Sequence, residues 1–439
     1  HVQAPPPREV EVTKELEAMV SDLPETRMLY YEDPYLSEFE AQVLRVLNNQ
    51  YVVLEKTAFY PEGGGQPADQ GYLEFNGTRS EVVDAQKIGN VIVHAVKGRV
   101  PREGATVWGS IDWGRRSSLM KHHTATHLLM GAARRVLGEH VWQAGAQKGV
   151  DRSRLDVSHF KRLTLEEVHE IERLANQAVI RNLPVETSWM PREQAEKQYG
   201  FRLYQGGVVP GREIRVVKTQ DWEVEACGGT HLKNTGEIGF IKIVHTERIQ
   251  DGVERIVFSA GLPALKAVQE NERTLWRVSE ALNVPLEKVE KTAERLVEDW
   301  KEARRERERL LKEIADFKAK EYLSTAKEIQ GLKVVTQRVK EVDVDRLIKT
   351  ASELVKMEPG MVAVLCGVNG TARIVVMAGR DAVKCGINAR NIADATASIL
   401  GGGGSGRPDF AQGGGTLTRK VLEALRKAEE VIRGQLGGK

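Results

Sequence analysis

Two pairs of potential metal ligands constrain the fold of this 439-residue chain more than any other feature. His123 and His127 are four residues apart, and Cys227 and His231 repeat that spacing about 100 residues later. In a helix, residues four apart project from one face. If the fold brings both pairs to one point, three imidazoles and a thiolate meet there, which is a ligand set that suits tetrahedral Zn²⁺. The sequence therefore predicts a zinc site formed by these four residues.

Other interpretations of the two pairs are weaker. A lone His-x-x-x-His pair is common without a metal, but Cys227 is one of only three cysteines and is followed by two glycines, which suit a tight ligand loop. A metalloprotease site is excluded, because its His-Glu-x-x-His motif needs a glutamate where this chain has Thr124. No Gly-x-x-x-x-Gly-Lys-Ser/Thr motif occurs, so nucleotide hydrolysis is not indicated.

Composition sets further bounds. Hydrophobic residues make up 41% and charged residues 29%, as in an ordinary soluble globular protein. Three scattered cysteines cannot form a disulfide framework, so we expect a reducing, cytoplasmic location. A net charge of +2 means that any contact with nucleic acid must come from local patches. Because the chain begins at His1 and residues 5–7 are prolines typical of a linker, we expect a fragment of a longer protein.

The pattern of elements predicts an α+β multidomain protein. Short strand-like runs separated by Asn-Gly and glycine-rich turns favour a small β-barrel, whereas mixed helices and strands follow it. The expected segments are a lead-in with a helix near residues 12–20 (1–33), a β-barrel (34–115), an α+β domain with the four ligands (116–258), a helical arm (259–332) and a C-terminal α/β domain (333–439).

The helical arm is predicted from apolar residues spaced three and four apart between Leu286 and Phe317, with one break at Arg307. The arginines at 304, 305, 307 and 309 could bind RNA, but the interleaved glutamates favour a charged helix face that is simply exposed to solvent. We interpret the arm as a spacer or an oligomerisation element.

A glycine-rich stretch marks the C-terminal domain. Eight glycines fall within residues 401–415, between two predicted helices. Exposed N–H groups in such a loop can cradle phosphate or admit an RNA backbone, and the alternative is a flexible linker.

Taken together, the motifs resemble those of the editing domain of alanyl-tRNA synthetases and of their free-standing relatives, the AlaX proteins. Beside the two ligand pairs, the stretch Thr57–Gln66 resembles the glycine-rich loop of that family. Residues 147–149 and 154–159 resemble the segments after the histidine helix, so the resemblance covers residues 30–258. Residues 401–415 resemble the glycine-rich part of the synthetase's C-terminal domain, which contacts the tRNA elbow.

The resemblance implies hydrolysis of tRNA(Ala) mischarged with serine or glycine. Such editing is needed because alanine and glycine differ by one methyl group, which changes the binding free energy in a pocket by only about 1–3 kcal/mol. The resemblance makes Gln147 a candidate for positioning the attacking water, and it implies that Gly65 and Gln66 belong to the editing site. Thr57 is our candidate for binding the serine hydroxyl, although it could be an ordinary turn residue. Four protein ligands would close the tetrahedron, as in a structural zinc site. A catalytic zinc would have to expand its coordination or exchange one ligand for water, and both roles stay open.

At the C-terminus the resemblance implies tRNA binding and a homodimer. The groups expected nearest the RNA are Gly403, Gly404, Arg407, Gln412, Arg419 and Lys420. Three hypotheses stay open: the C-terminal half of an alanyl-tRNA synthetase, a free-standing AlaX-type deacylase, and a zinc-stabilised tRNA-binding and dimerisation module without catalysis.

Overall fold

The computed structural model describes residues 14–205, 207, 209, 211–340 and 343–437. The chain divides into two compact units, one ending at Val278 and the other beginning at Ser279. Helix α1 spans Lys14–Val20, whereas the prolines at 5–7 and the first residues of the predicted lead-in helix lie outside the described residues. Within the described part of the chain, no helix combines the length and the apolarity needed to cross a membrane.

A closed six-stranded barrel forms the first part of the first unit, which confirms the predicted barrel. The elements are β1 Arg27–Met28, α2 Leu29–Glu32, β2 Glu38–Leu47, β3 Tyr51–Leu54, β4 Lys56–Thr57, β5 Gly71–Phe75, β6 Thr78–Ile88, β7 Val91–Lys97 and β8 Thr106–Ile111. The strand order in the barrel is β2-β3-β7-β6-β5-β8. Asn76 and Gly77 both have positive φ, at 48° and 70°, and form the two-residue turn between β5 and β6.

An α+β layer completes the first unit. Its elements are α3 Trp113–Leu137, β9 Gln143–Gln147, β10 Ser153–Ser158, α4 Leu165–Ile180, β11 Val185–Pro191, α5 Arg192–Tyr199, β12 Glu213–Thr219, β13 Glu223–Ala226, β14 Ile241–Gln250, β15 Val253–Ala260 and α6 Leu262–Leu282, which continues into the second unit. Helices α3 and α4 pack on the sheet β14-β15-β10-β9 around buried residues such as Leu128 and Phe258. Helix α3 begins eight residues before the predicted 121, because Asp112 caps it by accepting a hydrogen bond from the backbone N–H of Arg115 at 3.0 Å.

A buried ion pair joins the barrel segment to α3. Arg116 and Asp69 are both fully buried, and the guanidinium Nε lies 3.0 Å from Asp69 Oδ1. The same guanidinium donates to the carbonyl oxygens of Pro34 at 2.9 Å and Ala58 at 2.6 Å. All of these partners precede the helix, so the start of α3 is fixed against the barrel.

The second unit is an α/β domain built on a six-stranded sheet of order β16-β17-β18-β19-β21-β20. Its elements are α7 Val289–Ser324, β16 Lys327–Ile329, β17 Leu332–Lys340, α8 Val344–Met357, β18 Met361–Asn369, β19 Thr371–Ala378, α9 Arg380–Lys384, α10 Ala389–Ile399, β20 Gly404–Gly406, β21 Phe410–Gly415 and α11 Val421–Gly437. Strands β17 and β18 are parallel, and α8 connects them.

The long helix α7 is the predicted helical arm. It continues without interruption through Arg307, so the break lies in the apolar pattern and not in the helix. Arg309 pairs with Glu306 at 2.6 Å, and Arg304 lies 3.9 Å from Glu308. These contacts within the helix agree with a solvated charged face.

The glycine-rich stretch differs from the predicted loop, because β20 and β21 occupy nine of its fifteen residues. A Cβ at Gly415 would lie 2.1 Å from the carbonyl oxygen of Leu400, and one at Gly404 would lie 2.5 Å from the carbonyl carbon of Ala393. Here the glycines let α10 approach the sheet closely. Their number in the sequence indicated a loop instead.

Candidate metal centre

The structure brings the four predicted ligands together in the first unit. Helix α3 carries His123 and His127, and the loop after β13 carries Cys227 and His231. The Cys227 Sγ lies 3.3 Å from the Nε2 of His123 and 3.4 Å from the Nε2 of His231. All four ligand atoms lie within 4.8 Å of one another. Neighbouring ligands of a tetrahedral zinc are separated by roughly 3.4–3.6 Å, so the cluster can hold such an ion.

Hydrogen bonds fix the orientation of two of the rings. The Nδ1–H of His123 donates to Gln66 Oε1 at 2.7 Å, and His231 Nδ1 lies 3.2 Å from the hydroxyl of Thr124. A ring held through Nδ1 presents Nε2 to a metal. Gln66 is itself buried and donates through Nε2 to the Thr230 hydroxyl at 2.9 Å. Gln66 therefore supports a ligand.

Burial sets the protonation of the cluster. It lowers the pKa of His127 to about 3 and holds the pKa values of His123 and His231 well below their ordinary range, so all three rings are neutral near pH 7. Burial also raises the pKa of the Cys227 thiol, and the positive charge of a bound metal ion would offset this. Neutral imidazoles with a thiol that can ionise on binding are the donor set that zinc prefers.

Sequence analysis missed two ionisable groups beside the cluster. Glu225 is buried, its Oε2 lies 3.3 Å from His127 Nε2, and burial raises its pKa to about 8, a shift that the positive charge of a bound metal ion would offset. Its Oε1 has no hydrogen-bond partner among the described residues. Lys148 is buried with a lowered pKa, and its Nζ donates to the carbonyl oxygen of Gly64 at 2.9 Å. The one available signal was that Glu225 lies two positions before Cys227, at the end of a strand.

A cavity of about 640 Å³ adjoins the cluster. Its lining includes His123, His127, Glu225 and Cys227, together with three tyrosines and the glycine-rich loop at 63–65. The backbone N–H of Lys148 donates to the Gly65 carbonyl at 2.7 Å, which holds that loop in place. Among the described residues, the N–H groups of Gly64 and Gly65 donate to no other group.

Three family models match the chain. They are the threonyl and alanyl tRNA synthetase second additional domain at residues 214–257, the class II (A) tRNA synthetases at 8–115, and the DHHA1 domain at 331–434. The alanine–tRNA ligases of Thermococcus kodakarensis and Pyrococcus abyssi are each 50% identical over 415 residues, which is 94% of this chain.

The chain is homologous to alanine–tRNA ligases. It spans 44% of the length of these two relatives. Among solved structures, the C-Ala domain of Aquifex aeolicus alanyl-tRNA synthetase aligns at 24% identity, covering 25% of this chain and 98% of that chain. Its TM-score of 0.24 is too low to support a structural conclusion.

Two residues selected on the resemblance to the synthetases do not line the cavity beside the cluster. Thr57 is fully buried, and its hydroxyl lies 2.9 Å from His94 Nε2 while it accepts from the N–H of Phe59. Because His94 Nδ1 donates to the Val52 carbonyl, Thr57 is the donor to Nε2. Gln147 is exposed on β9, accepts from Arg154 at 3.2 Å, and lines a neighbouring groove. Gly65 lines both the groove and the cavity.

The candidate RNA contacts lie in the region that matches the DHHA1 domain, residues 331–434. Gly403, Arg407, Gln412, Arg419 and Lys420 are exposed, whereas Gly404 is partly buried against α10. Arg407 lines a cavity of about 760 Å³ together with three further cations that sequence analysis did not select: Lys356, Arg380 and Lys384. Met377 and Phe410 give this cavity an apolar wall.

Proposed function

We propose that this chain is the editing part of an alanyl-tRNA synthetase and hydrolyses the ester of tRNA(Ala) mischarged with serine or glycine. The observation that carries the proposal is the buried His/Cys cluster, which shares a cavity with the glycine-rich loop in a chain homologous to alanine–tRNA ligases. A pocket built for alanine rejects glycine weakly, so a second, hydrolytic site supplies the missing discrimination.

Zinc is the metal we assign to the cluster, held by His123, His127, Cys227 and His231. When bound, it would supply positive charge that favours the thiolate and polarises an oxygen beside it. Gln66 and Thr124 would keep their rings in the ligating orientation.

The glycine-rich loop is suited to orient the ester. The free N–H groups of Gly64 and Gly65 border the cavity, where two such donors can bind a carbonyl oxygen that gains negative charge. Lys148 keeps the loop in this position through the Gly64 and Gly65 carbonyl oxygens. In this proposal Thr57 supports the barrel, Gln147 lines the neighbouring groove, and hydrolysis is assigned to groups that line the cavity.

Hydrolysis of charged tRNA by the zinc-loaded chain tests the function. We expect release of serine and glycine from tRNA(Ala) well above the buffer rate, and no acceleration with correctly charged Ala-tRNA(Ala). Retained tRNA binding without hydrolysis of any of the three would support the alternative of a non-catalytic zinc-stabilised module. Class II synthetase motifs upstream of His1 would distinguish a synthetase from an AlaX-type protein.

The second unit is our candidate for binding tRNA, supported by its DHHA1 match and the four cations around one cavity. We expect the double variant Arg380→Glu, Lys384→Glu to weaken tRNA(Ala) binding. The slope of log K against the logarithm of the salt concentration should become shallower by about two. The matched control reverses two exposed charges of the arm, Lys301→Glu and Arg309→Glu. Equal loss in both variants, measured by filter binding at several salt concentrations, would contradict a specific site.

A homodimer is part of the same proposal. Leu296, Trp300 and Phe317 are exposed on α7, so this helix offers an apolar surface to a partner.

A further inference from the structure

Glu225 is the buried acid of the proposed editing pocket. The cavity beside the cluster is lined by two acids among the described residues, Glu62 and Glu225. Glu62 is exposed and accepts a hydrogen bond from Gln86. Glu225 is 4% exposed, and one of its oxygens has no hydrogen-bond partner among the described residues.

The position of Glu225 follows from its strand. It lies two residues before Cys227, so both side chains project from the same side of the chain, toward the cluster. Its Oε2 is 3.3 Å from the Nε2 of His127. The nearby cation Lys148 directs its Nζ to the Gly64 carbonyl oxygen, and Arg134 pairs with Glu223 at 2.7 Å. The free oxygen of Glu225 therefore remains available to a group that enters the cavity.

We infer that Glu225 binds the α-ammonium group of the aminoacyl ester, as a residue that positions the substrate for hydrolysis. This inference rests on the proposed function. Serine and glycine esters share no side chain, so a pocket that accepts both must hold what they have in common, the ammonium group and the ester. Buried polar groups are normally satisfied, and an ammonium group supplies the donor that the free carboxyl oxygen lacks.

Two non-hydrolysable probes test the inference on the zinc-loaded full chain. One is adenosine carrying serine through a 3′-amide, and the other is the same compound without the amino group. By calorimetry near pH 7 we expect the wild type to prefer the amino probe by roughly 10- to 100-fold. Glu225→Gln should abolish this preference and leave the affinity for the desamino probe unchanged.

Controls separate this role from others. Glu254 on β15 is also buried, has an oxygen without a hydrogen-bond partner among the described residues, and does not line the cavity, so Glu254→Gln should keep the preference. If Glu225→Gln does not fold, Glu225→Asp should retain a reduced preference. Loss of zinc in a folded Glu225→Gln chain, equal weakening of both probes, or an unchanged preference would each overturn the inference.

If the wild type hydrolyses Ser-tRNA(Ala) but one of these results is found, only this inference fails. If the wild type does not hydrolyse it, the proposed function fails.

Discussion

Replacing Cys227 with alanine should leave the chain with less than about a tenth of its zinc and lower the deacylation of Ser-tRNA(Ala) by roughly 100-fold or more. The reason is that its Sγ lies within 3.4 Å of two of the imidazoles, so the cluster loses its only anionic ligand. Because ligand binding stabilises the folded state, we also expect the first unit to melt at a lower temperature. Metal analysis, single-turnover hydrolysis and thermal denaturation measure the three effects.

The matched control is Cys366→Ala, which removes a buried thiol on β18 in the second unit. This variant should keep its zinc and its hydrolytic rate. Stoichiometric zinc and full activity in Cys227→Ala would refute the assignment of the metal site.

Gly229→Ala should disrupt the same site without removing any ligand. A Cβ at this position would lie 2.0 Å from Cε1 and 2.3 Å from Nδ1 of His123, and Gln66 holds that ring in place. The ring has to shift and lose its hydrogen bond, so we expect zinc affinity and hydrolysis to fall by roughly 10- to 100-fold.

Gly228→Ala offers a comparison at the adjacent residue. A Cβ there would lie 3.4 Å from the Tyr31 hydroxyl, an ordinary contact, and neither glycine has a positive φ. We expect this variant to behave as the wild type in zinc titration and hydrolysis. Equal losses in the two variants would show that the loop needs glycine for flexibility instead of for space beside His123.

The ligand cluster could be predicted from the sequence because its signal is local. Four-residue spacing places His123 and His127 on one face of a helix whatever the rest of the chain does, and the rarity of cysteine singles out Cys227. The barrel was predictable for a similar reason, since strand alternation and turn residues such as Asn76 and Gly77 are read within short windows.

The features that could not be predicted depend on contacts between residues that are far apart in the sequence. The hydroxyl of Thr57 is taken by His94, which is 37 residues away, so its chemistry cannot be read from the glycine-rich loop beside it. Glu225 is notable only because one of its oxygens is buried without a hydrogen-bond partner while the other lies beside His127. The glycines at 404 and 415 lie in strands, where α10 and the residue after it pack closely against them, whereas composition alone indicates a loop.

The buried pair of Arg116 and Asp69 has a consequence for how the first unit unfolds. Separating the barrel from α3 would break this buried ion pair and, at the same time, the two hydrogen bonds from Arg116 to the carbonyl oxygens of Pro34 and Ala58. Partial opening at this junction is therefore disfavoured compared with loss of the whole unit. We therefore expect the barrel and the histidine helix to unfold as one cooperative unit, with the ligands on α3 keeping their position relative to the glycine-rich loop until the entire unit melts.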